Sequence, residues 1–232
     1  MITRLVLLPG MHGTGELFPE FMTMMPEPKH IEALQYPTDV GPSYSQLLGT
    51  VQSFVPVSDP YILLAESFST PLAIQFAATH PQNLKGLILA AGFARTPVDG
   101  LRHSLASLLA PVIFRLPVPQ AAINHLLIGP NPPESLQQSM RAVISQIRPA
   151  VMAERLRAVL ACDARTDLSK VSVPMLYIRA TRDRLIPRSC MEEIQAILRQ
   201  TEVVELDGPH LILQREPKQS AEAVSRFIQG HM

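Results

Sequence analysis

The sequence predicts an α/β fold, a mainly parallel sheet of about six strands covered by helices. Two observations carry that reading. Short, almost wholly apolar runs recur along the chain, as expected of strands buried on both faces of a parallel sheet. Between them lie stretches with apolar residues at helical spacing, so strand and helix alternate in the manner of βαβ units. A third observation adds to the class. From Ala94 to about Thr166 the alternation stops, and only helical patterns separated by Pro and Gly remain.

Arg4–Leu8 (RLVLL), ended by Pro9-Gly10, is the first predicted strand. Residues 31–36 form a second, of more mixed character. Tyr44 to Phe54, with Leu47, Leu48, Val51 and Phe54 on one side, suits an amphipathic helix. Residues 61–65 (YILLA) are again a buried strand. A tight turn follows, then a helix over 71–80 with Pro71 in its first turn, where no N–H is missed. Residues 84–91 form the next strand.

Within the interruption, helices are expected over 104–114, 121–128, 134–147 and 151–160. A structureless loop of that length is uncommon inside a compact domain. The stretch 94–166 therefore reads as an inserted helical cap, and residues 1–93 and 167–232 as the core. The alternation resumes with a strand over 175–179, a helix over 189–199, a strand over 202–206 and a closing helix over 220–228.

Composition narrows the function classes. The 232 residues are 47% hydrophobic, enough for a sizeable core, and 20 Lys+Arg balance 20 Asp+Glu. No basic field is built for nucleic acid. Cys162 and Cys190 are the only cysteines, and no Cys/His cluster suggests a metal site. Residues 106–127 are the most lipid-like stretch, but Arg115 and three prolines interrupt it, so no membrane span is expected. The N-terminus lacks the pattern of a signal peptide, and a cytoplasmic protein is the expectation.

The chemistry concentrates at three loops. Strand 61–65 leads into Glu66-Ser67-Phe68-Ser69-Thr70-Pro71. A serine between a buried strand and a helix, with small residues two positions to either side, has the form of a nucleophile elbow. The turn is so tight that only small side chains fit at Ala65 and Ser69. In return Ser67 is lifted clear of the sheet at a helix N-terminus, which favours developing negative charge. Both glycines of G-x-S-x-G are replaced, and a helix-capping serine is the competing reading of this motif alone.

The end of the first strand reads Leu8-Pro9-Gly10-Met11-His12-Gly13-Thr14-Gly15. Such a loop turns backbone N–H groups toward a reacting oxygen. The N–H of Met11 and that of Phe68 are the predicted oxyanion donors. A mere tight turn is the competing reading, and because the spacing does not match G-x-G-x-x-G, a dinucleotide site is disfavoured.

Asp183 lies just past strand 175–179, on the sheet edge that carries the elbow, and would hold a histidine's tautomer. A solvated Asp paired with Arg182 or Arg184 is the alternative. His210, in Asp207-Gly208-Pro209-His210, follows the last strand and could exchange a proton with Ser67. The chain order Ser, Asp, His is that of an α/β-hydrolase. Other polar groups rank lower. Glu66 could tune the site electrostatically, though a hydrogen-bonded structural carboxylate is the favoured reading, and His12 faces either substrate or solvent. His80 reads as a helix-end residue, His103 and His125 as structural cap residues, and Asp207 as too near His210 to be first choice of acid.

With these residues assembled, the chain resembles the α/β-hydrolase superfamily over nearly its full length. The resemblance rests on Leu8-Pro9-Gly10-Met11, Ala65-Glu66-Ser67-Phe68-Ser69, Asp183 with Ile186-Pro187, Gly208-Pro209-His210, and residues 167–174 (DLSKVSVP) where the chain re-enters the sheet. It departs at Ala65 and Ser69 and lacks a preceding hairpin. Within the superfamily it looks most like small capped carboxylesterases, including the pimeloyl-ACP methyl ester esterase type. The resemblance implies a serine esterase working through an acyl-enzyme without metal or organic cofactor, its cap roofing the site. Thioesterase, acyltransferase and carbon–carbon hydrolase or lyase chemistry stay open on the same three residues, as does a ligand-binding receptor.

Two expectations concern the cap. Leu105, Leu108, Leu109, Ile113, Leu126 and Leu127 should supply an apolar acyl pocket. Arg95, Arg102, Arg115, Arg141, Arg148, Arg155, Arg157 and Arg165 outnumber Asp99, Glu134, Glu154 and Asp163 by eight to four. Such a roof would suit an acidic acyl carrier protein or an anionic substrate tail, with a solvated helical surface of ordinary charge scatter as the competing reading.

Overall fold

A computed structural model of the chain describes residues 4–26, 30–98 and 119–231. Its centre is a six-stranded sheet in the order β2-β1-β3-β4-β5-β6, with every neighbouring pair parallel. The strands are β1 (Arg4–Leu8), β2 (His30–Ala33), β3 (Tyr61–Glu66), β4 (Leu84–Ala90), β5 (Met175–Ala180) and β6 (Glu202–Leu206). The expected sheet of about six parallel strands is the sheet observed.

The apolar runs are continuous because both faces are covered. Along β1, Leu5 and Leu7 point into a cluster with Phe18, Phe21, Val224 and Phe227, from α1 (Pro19–Met24), its approach and the last helix. Val6 and Leu8 point into the opposite cluster with Leu47, Val51, Leu72 and Ile194, from α2 (Tyr44–Phe54), α3 (Thr70–Ala77) and the helix after β5. Each face thus supplies its own core. The edge strand β2 is shorter than the expected 31–36. Its pattern of exposure alternates, and beyond Ala33 the chain keeps only single backbone bonds, Leu34 N–H to Leu7 O (2.9 Å) and Tyr36 N–H to Gly13 O (2.7 Å).

Helix α2 starts at Ser43, whose Oγ accepts from Gln46 N–H while the Gln46 side chain accepts from Ser43 N–H, a capping box. Between β4 and β5 the described chain is helical: α4 (Gln120–Ile123) passes into a π-helical turn over Asn124–Ile128, then come α5 (Glu134–Ser145), α6 (Pro149–Ala161) and α7 (Arg165–Leu168). The single helix expected over 121–128 is therefore split, and Gly129 (φ +81°) ends it. The helix expected over 104–114 lies outside the described residues.

The excursion leaves and returns at one point. Ala164 N–H donates to Ala94 O at 2.7 Å and Thr96 N–H to Cys162 O at 3.2 Å. Helices α4 to α6 rest on a third apolar cluster of Leu17, Ile128, Met140, Val143 and Leu211, above the C-terminal edge of the sheet. After β5 come α8 (Arg188–Ile197), β6, α9 (Ile212–Arg215) and α10 (Pro217–Gly230). No helix among the described residues is long and apolar enough to cross a membrane.

Candidate active site

The strand order reverses between β1 and β3, and ligands of open α/β sheets bind beyond the carboxyl ends of strands at such a switch. The loops after β1, β3, β5 and β6 meet there. Ser67 directly follows β3 with φ +49°, a left-handed conformation that costs a non-glycine residue about 1–3 kcal/mol. The turn is held from several sides. Thr70 Oγ1 donates to Ser67 O at 2.8 Å and accepts from Phe93 N–H at 2.9 Å. Tyr44 O–H donates to Phe68 O at 2.8 Å.

At Ser69, where the usual motif has glycine, the hydroxyl donates to Pro9 O and pairs with the Tyr36 hydroxyl at 2.7 Å. Ala65 and Ser69 are both fully buried, as the tight turn requires. The departures from G-x-S-x-G are thus filled by a methyl that fits and a hydroxyl that ties the elbow to the β1 loop.

The three predicted polar residues come together. His210 Nε2 lies 2.8 Å from Ser67 Oγ, and His210 Nδ1 lies 2.7 Å from Asp183 Oδ2. Asp183 Oδ1 accepts the N–H groups of Leu185 (2.8 Å) and Ile186 (3.0 Å), which aims the other oxygen at the imidazole. Arg182 and Arg184 do not hold Asp183. Arg182 pairs with Asp207 at 2.9 Å, and Arg184 Nη1 meets His125 Nε2 at 2.6 Å. Asp207 is exposed and engaged elsewhere, so it is no partner of His210.

Burial disfavours the charged form of His210. The charge and hydrogen bond of Asp183, helped by the charge of Glu66, outweigh it and raise the pKa above 6.5.

A cavity of about 240 Å³ opens over Ser67. Its described walls are mostly apolar: Met11, Phe68, Phe93 and Val98 from the core loops, Leu127, Met140, Ile144, Met152 and Leu156 from the helices above, and Leu185, Ile186 and Leu211 beside His210. Leu127 meets the expectation of a pocket-lining residue, whereas Leu126 is turned to solvent. The remaining three leucines, Leu105, Leu108 and Leu109, and Ile113 lie outside the described residues, as do Arg102, His103 and Arg115. Met11 and Phe68, the predicted oxyanion donors, both border the cavity. Among the described residues no cluster of His, Cys, Asp and Glu is arranged to hold a metal.

Two sequence expectations are corrected here. Arg155 is not a charge of the roof. It is fully buried and donates to Met11 O (2.8 Å), His12 O (2.9 Å) and Pro37 O (2.8 Å), clamping the glycine loop from α6. Burial lowers its pKa to about 10. Val151, Arg155 and Val159 share one helical face and all three are buried, so the spacing of its neighbours was the signal for an inward Arg155. Of the other roof arginines, Arg95 and Arg165 reach Glu193, Arg165 also holds Asp163, and Arg157 holds Glu154. The second correction is Glu66, which is fully buried yet has no hydrogen-bond partner on either oxygen.

The sheet order, the elbow after β3 and the Asp and His loops after β5 and β6 define an α/β-hydrolase. Residues 42–207 match the family described as serine aminopeptidase, S33, and the chain belongs to that family. Among curated proteins it is similar to the biotin biosynthesis bifunctional protein BioHC of Cellvibrio japonicus, 27% identical over 236 residues. That match covers 95% of this chain and 44% of the bifunctional protein, so the chain spans less than half of that relative. It is also similar to the pimeloyl-[acyl-carrier protein] methyl ester esterase of Neisseria meningitidis serogroup A, 21% identical over 220 residues, covering 89% of this chain and 70% of that one.

Solved structures agree on the fold. An esterase from Exiguobacterium antarcticum has TM-score 0.84 at 16% identity, covering 98% of this chain and 92% of that one. An enol-lactonase from Burkholderia xenovorans LB400 has TM-score 0.82 at 17% identity, covering 99% and 92%.

Proposed function

We propose that the protein is a serine carboxylesterase that works through an acyl-enzyme, with Ser67 as nucleophile, His210 as base and acid, and Asp183 as the orienting carboxylate. The observation that supports this most is the unbroken line from Asp183 through His210 to Ser67, lying under an apolar cavity. Ser67 Oγ attacks the ester carbonyl while His210 Nε2 takes its proton, and Asp183 stabilises the imidazolium that forms. The amides of Met11 and Phe68 receive the oxyanion, one such donor being worth about 3 kcal/mol. His210 then gives the proton to the departing alcohol, and water enters by the reverse route to release the acid. Helices α4 to α6, within the stretch 94–166, act as the lid that excludes water and receives the acyl chain.

The names of the curated relatives extend the proposal to a carrier-bound ester, with an acidic acyl carrier protein as partner. The roof favours this less than its arginine count implies, because Arg155 is buried beneath it. Thioesters and carbon–carbon substrates make the competing activities, and comparing them with esters separates the three. The proposed compartment is the cytoplasm, in keeping with two buried thiols, those of Cys162 and Cys190.

Hydrolysis of a p-nitrophenyl ester series of increasing acyl length tests the reading. The native protein should show a chain-length optimum set by the cavity, and Ser67→Ala should lose about 10⁴-fold or more of kcat with folding intact. Retention of most activity in that variant would remove Ser67 from the chemistry.

A further inference from the structure

Glu66 and His12 stand out because the proposed esterase mechanism gives neither a contact with substrate and each has a buried polar atom without a hydrogen-bond partner. Glu66 ends β3, immediately before Ser67, and is fully buried with neither carboxylate oxygen hydrogen-bonded. His12 follows Met11 in the glycine loop and is nine-tenths buried. Its Nδ1 accepts the Thr14 N–H at 3.3 Å, so the ring proton sits on Nε2. That Nε2 also has no hydrogen-bond partner, and it stops 3.8 Å from Glu66 Oε2, too far to bond.

Both residues line the cavity over Ser67. Their polar atoms converge: a Cβ placed on Gly10 would lie 3.5 Å from Glu66 Oε2 and 3.5 Å from His12 Nε2. An unsatisfied buried polar group costs about 1–3 kcal/mol, and a charged one more. Two such groups facing one spot in a substrate cavity can together bind one further polar group.

The chemistry of that occupant follows from the donor and acceptor count. It must give a proton to Glu66 and accept one from His12. An alkyl chain does neither. A carboxylate would accept from His12 but is repelled by Glu66, and an ammonium would donate to Glu66 but offers His12 nothing to bond. A hydroxyl does both.

We propose that Glu66 and His12 form a polar subsite for a hydroxyl group of the substrate, making the preferred substrates hydroxyacyl esters. Glu66 precedes the proposed nucleophile and His12 follows a proposed oxyanion donor, one residue each, and successive Cα atoms are about 3.8 Å apart. The hydroxyl is therefore borne within a few bonds of the scissile carbonyl. The inference deepens the esterase reading and rests on it for the direction of attack, while the subsite itself can be read by binding alone.

The test compares p-nitrophenyl butyrate with p-nitrophenyl 2-hydroxybutyrate and 3-hydroxybutyrate. One of the hydroxylated esters should exceed butyrate by about tenfold or more in kcat/KM, since sites built to bond a hydroxyl reject analogues lacking it. Glu66→Gln and His12→Phe should each bring that ratio down toward one, and either variant suffices if the other fails to fold. Ratios within about twofold of one in the native protein, or a ratio unchanged in a folded variant, would overturn the proposal.

Ethyl 3-hydroxybutyrate and ethyl butyrate, titrated calorimetrically into Ser67→Ala, separate this outcome from failure of the esterase reading. Tighter binding of the hydroxylated ester by about tenfold supports the subsite even where no ester is turned over, and equal binding overturns it.

Discussion

Asp183 shows how one side chain can be assigned a role by what its two oxygens do. One is occupied by the amides of Leu185 and Ile186, so only the other is free to face His210. Asp183→Asn keeps the shape but puts an N–H₂ group where an acceptor is needed, and the imidazole turns to the wrong tautomer. On that argument kcat should fall by about 10⁴-fold with little change in KM. A loss smaller than tenfold would mean that Asp183 only shapes the loop.

The same carboxylate, with Glu66, sets the pH dependence. As the proposed general base His210 must be neutral to act, and its pKa is raised above 6.5. Activity should therefore fall off on the acid side with a midpoint above pH 6.5. Because the charge of Glu66 contributes to that rise, Glu66→Gln should move the midpoint to lower pH. A native midpoint at or below 6.5 in kcat/KM would contradict the assignment.

Between elements, the decisive contact runs from α6 to the loop after β1. Arg155 gives N–H groups to three backbone carbonyls there, and its guanidinium lies 5.8 Å from the Tyr36 ring centre. Gly13 makes room for it: φ is +78°, and an added Cβ would fall 2.4 Å from Arg155 Nη1. Arg155→Met strips donors from three carbonyls at once. At about 1 kcal/mol each as a lower figure, that is about 3 kcal/mol, or roughly 6–12 °C in thermal midpoint for a chain of this size. The proposed oxyanion amide of Met11 sits in the clamped loop, so kcat should drop more than KM rises. A change confined to KM would place Arg155 outside the positioning of that loop.

This contact also marks where reading the sequence stops. Strands β1, β3, β4 and β5 were legible because burial on both faces leaves unbroken apolar runs. The edge strand β2 alternates and was overextended. Helix α1 was missed because its buried face is short, with Phe21 its only buried residue. Ser67, Asp183 and His210 were legible from the loops after their strands. The empty hydrogen-bond positions of Glu66 and the inward turn of Arg155 depend on which elements pack against them. Charge counting along the chain placed Arg155 among the charges of the roof.

At the scale of the molecule, both ends of the sheet are supported by hydroxyl and thiol groups that must stay protonated, Tyr61 at the start of β3 and the others nearer the site. Tyr36, Tyr44 and Tyr177 bond to Ser69, Phe68 O and Gly92 O, and burial raises the pKa of each. Burial also pushes Tyr61 up to about 12 and, with the charge of Asp163 adding to it, Cys162 up to about 12.

The folded state thus keeps protons that the unfolded chain releases near pH 9 for a thiol and 10 for a tyrosine. Where the unfolded state binds fewer protons, stability falls as pH rises. The contribution of Cys162 is intact below pH 9 and is lost between 9 and about 12, and that of Tyr61 is lost between 10 and about 12. His210, also raised, acts with the same sign from about pH 6.5 upward. The thermal midpoint should therefore decline gently from neutrality and steeply beyond pH 9. Cys162→Ala removes the earliest of the steep contributions, so its midpoint should decline less between pH 9 and 10 than that of the native protein. A native midpoint that stays level from pH 8.5 to 11 would mean that these groups ionise without destabilising the fold.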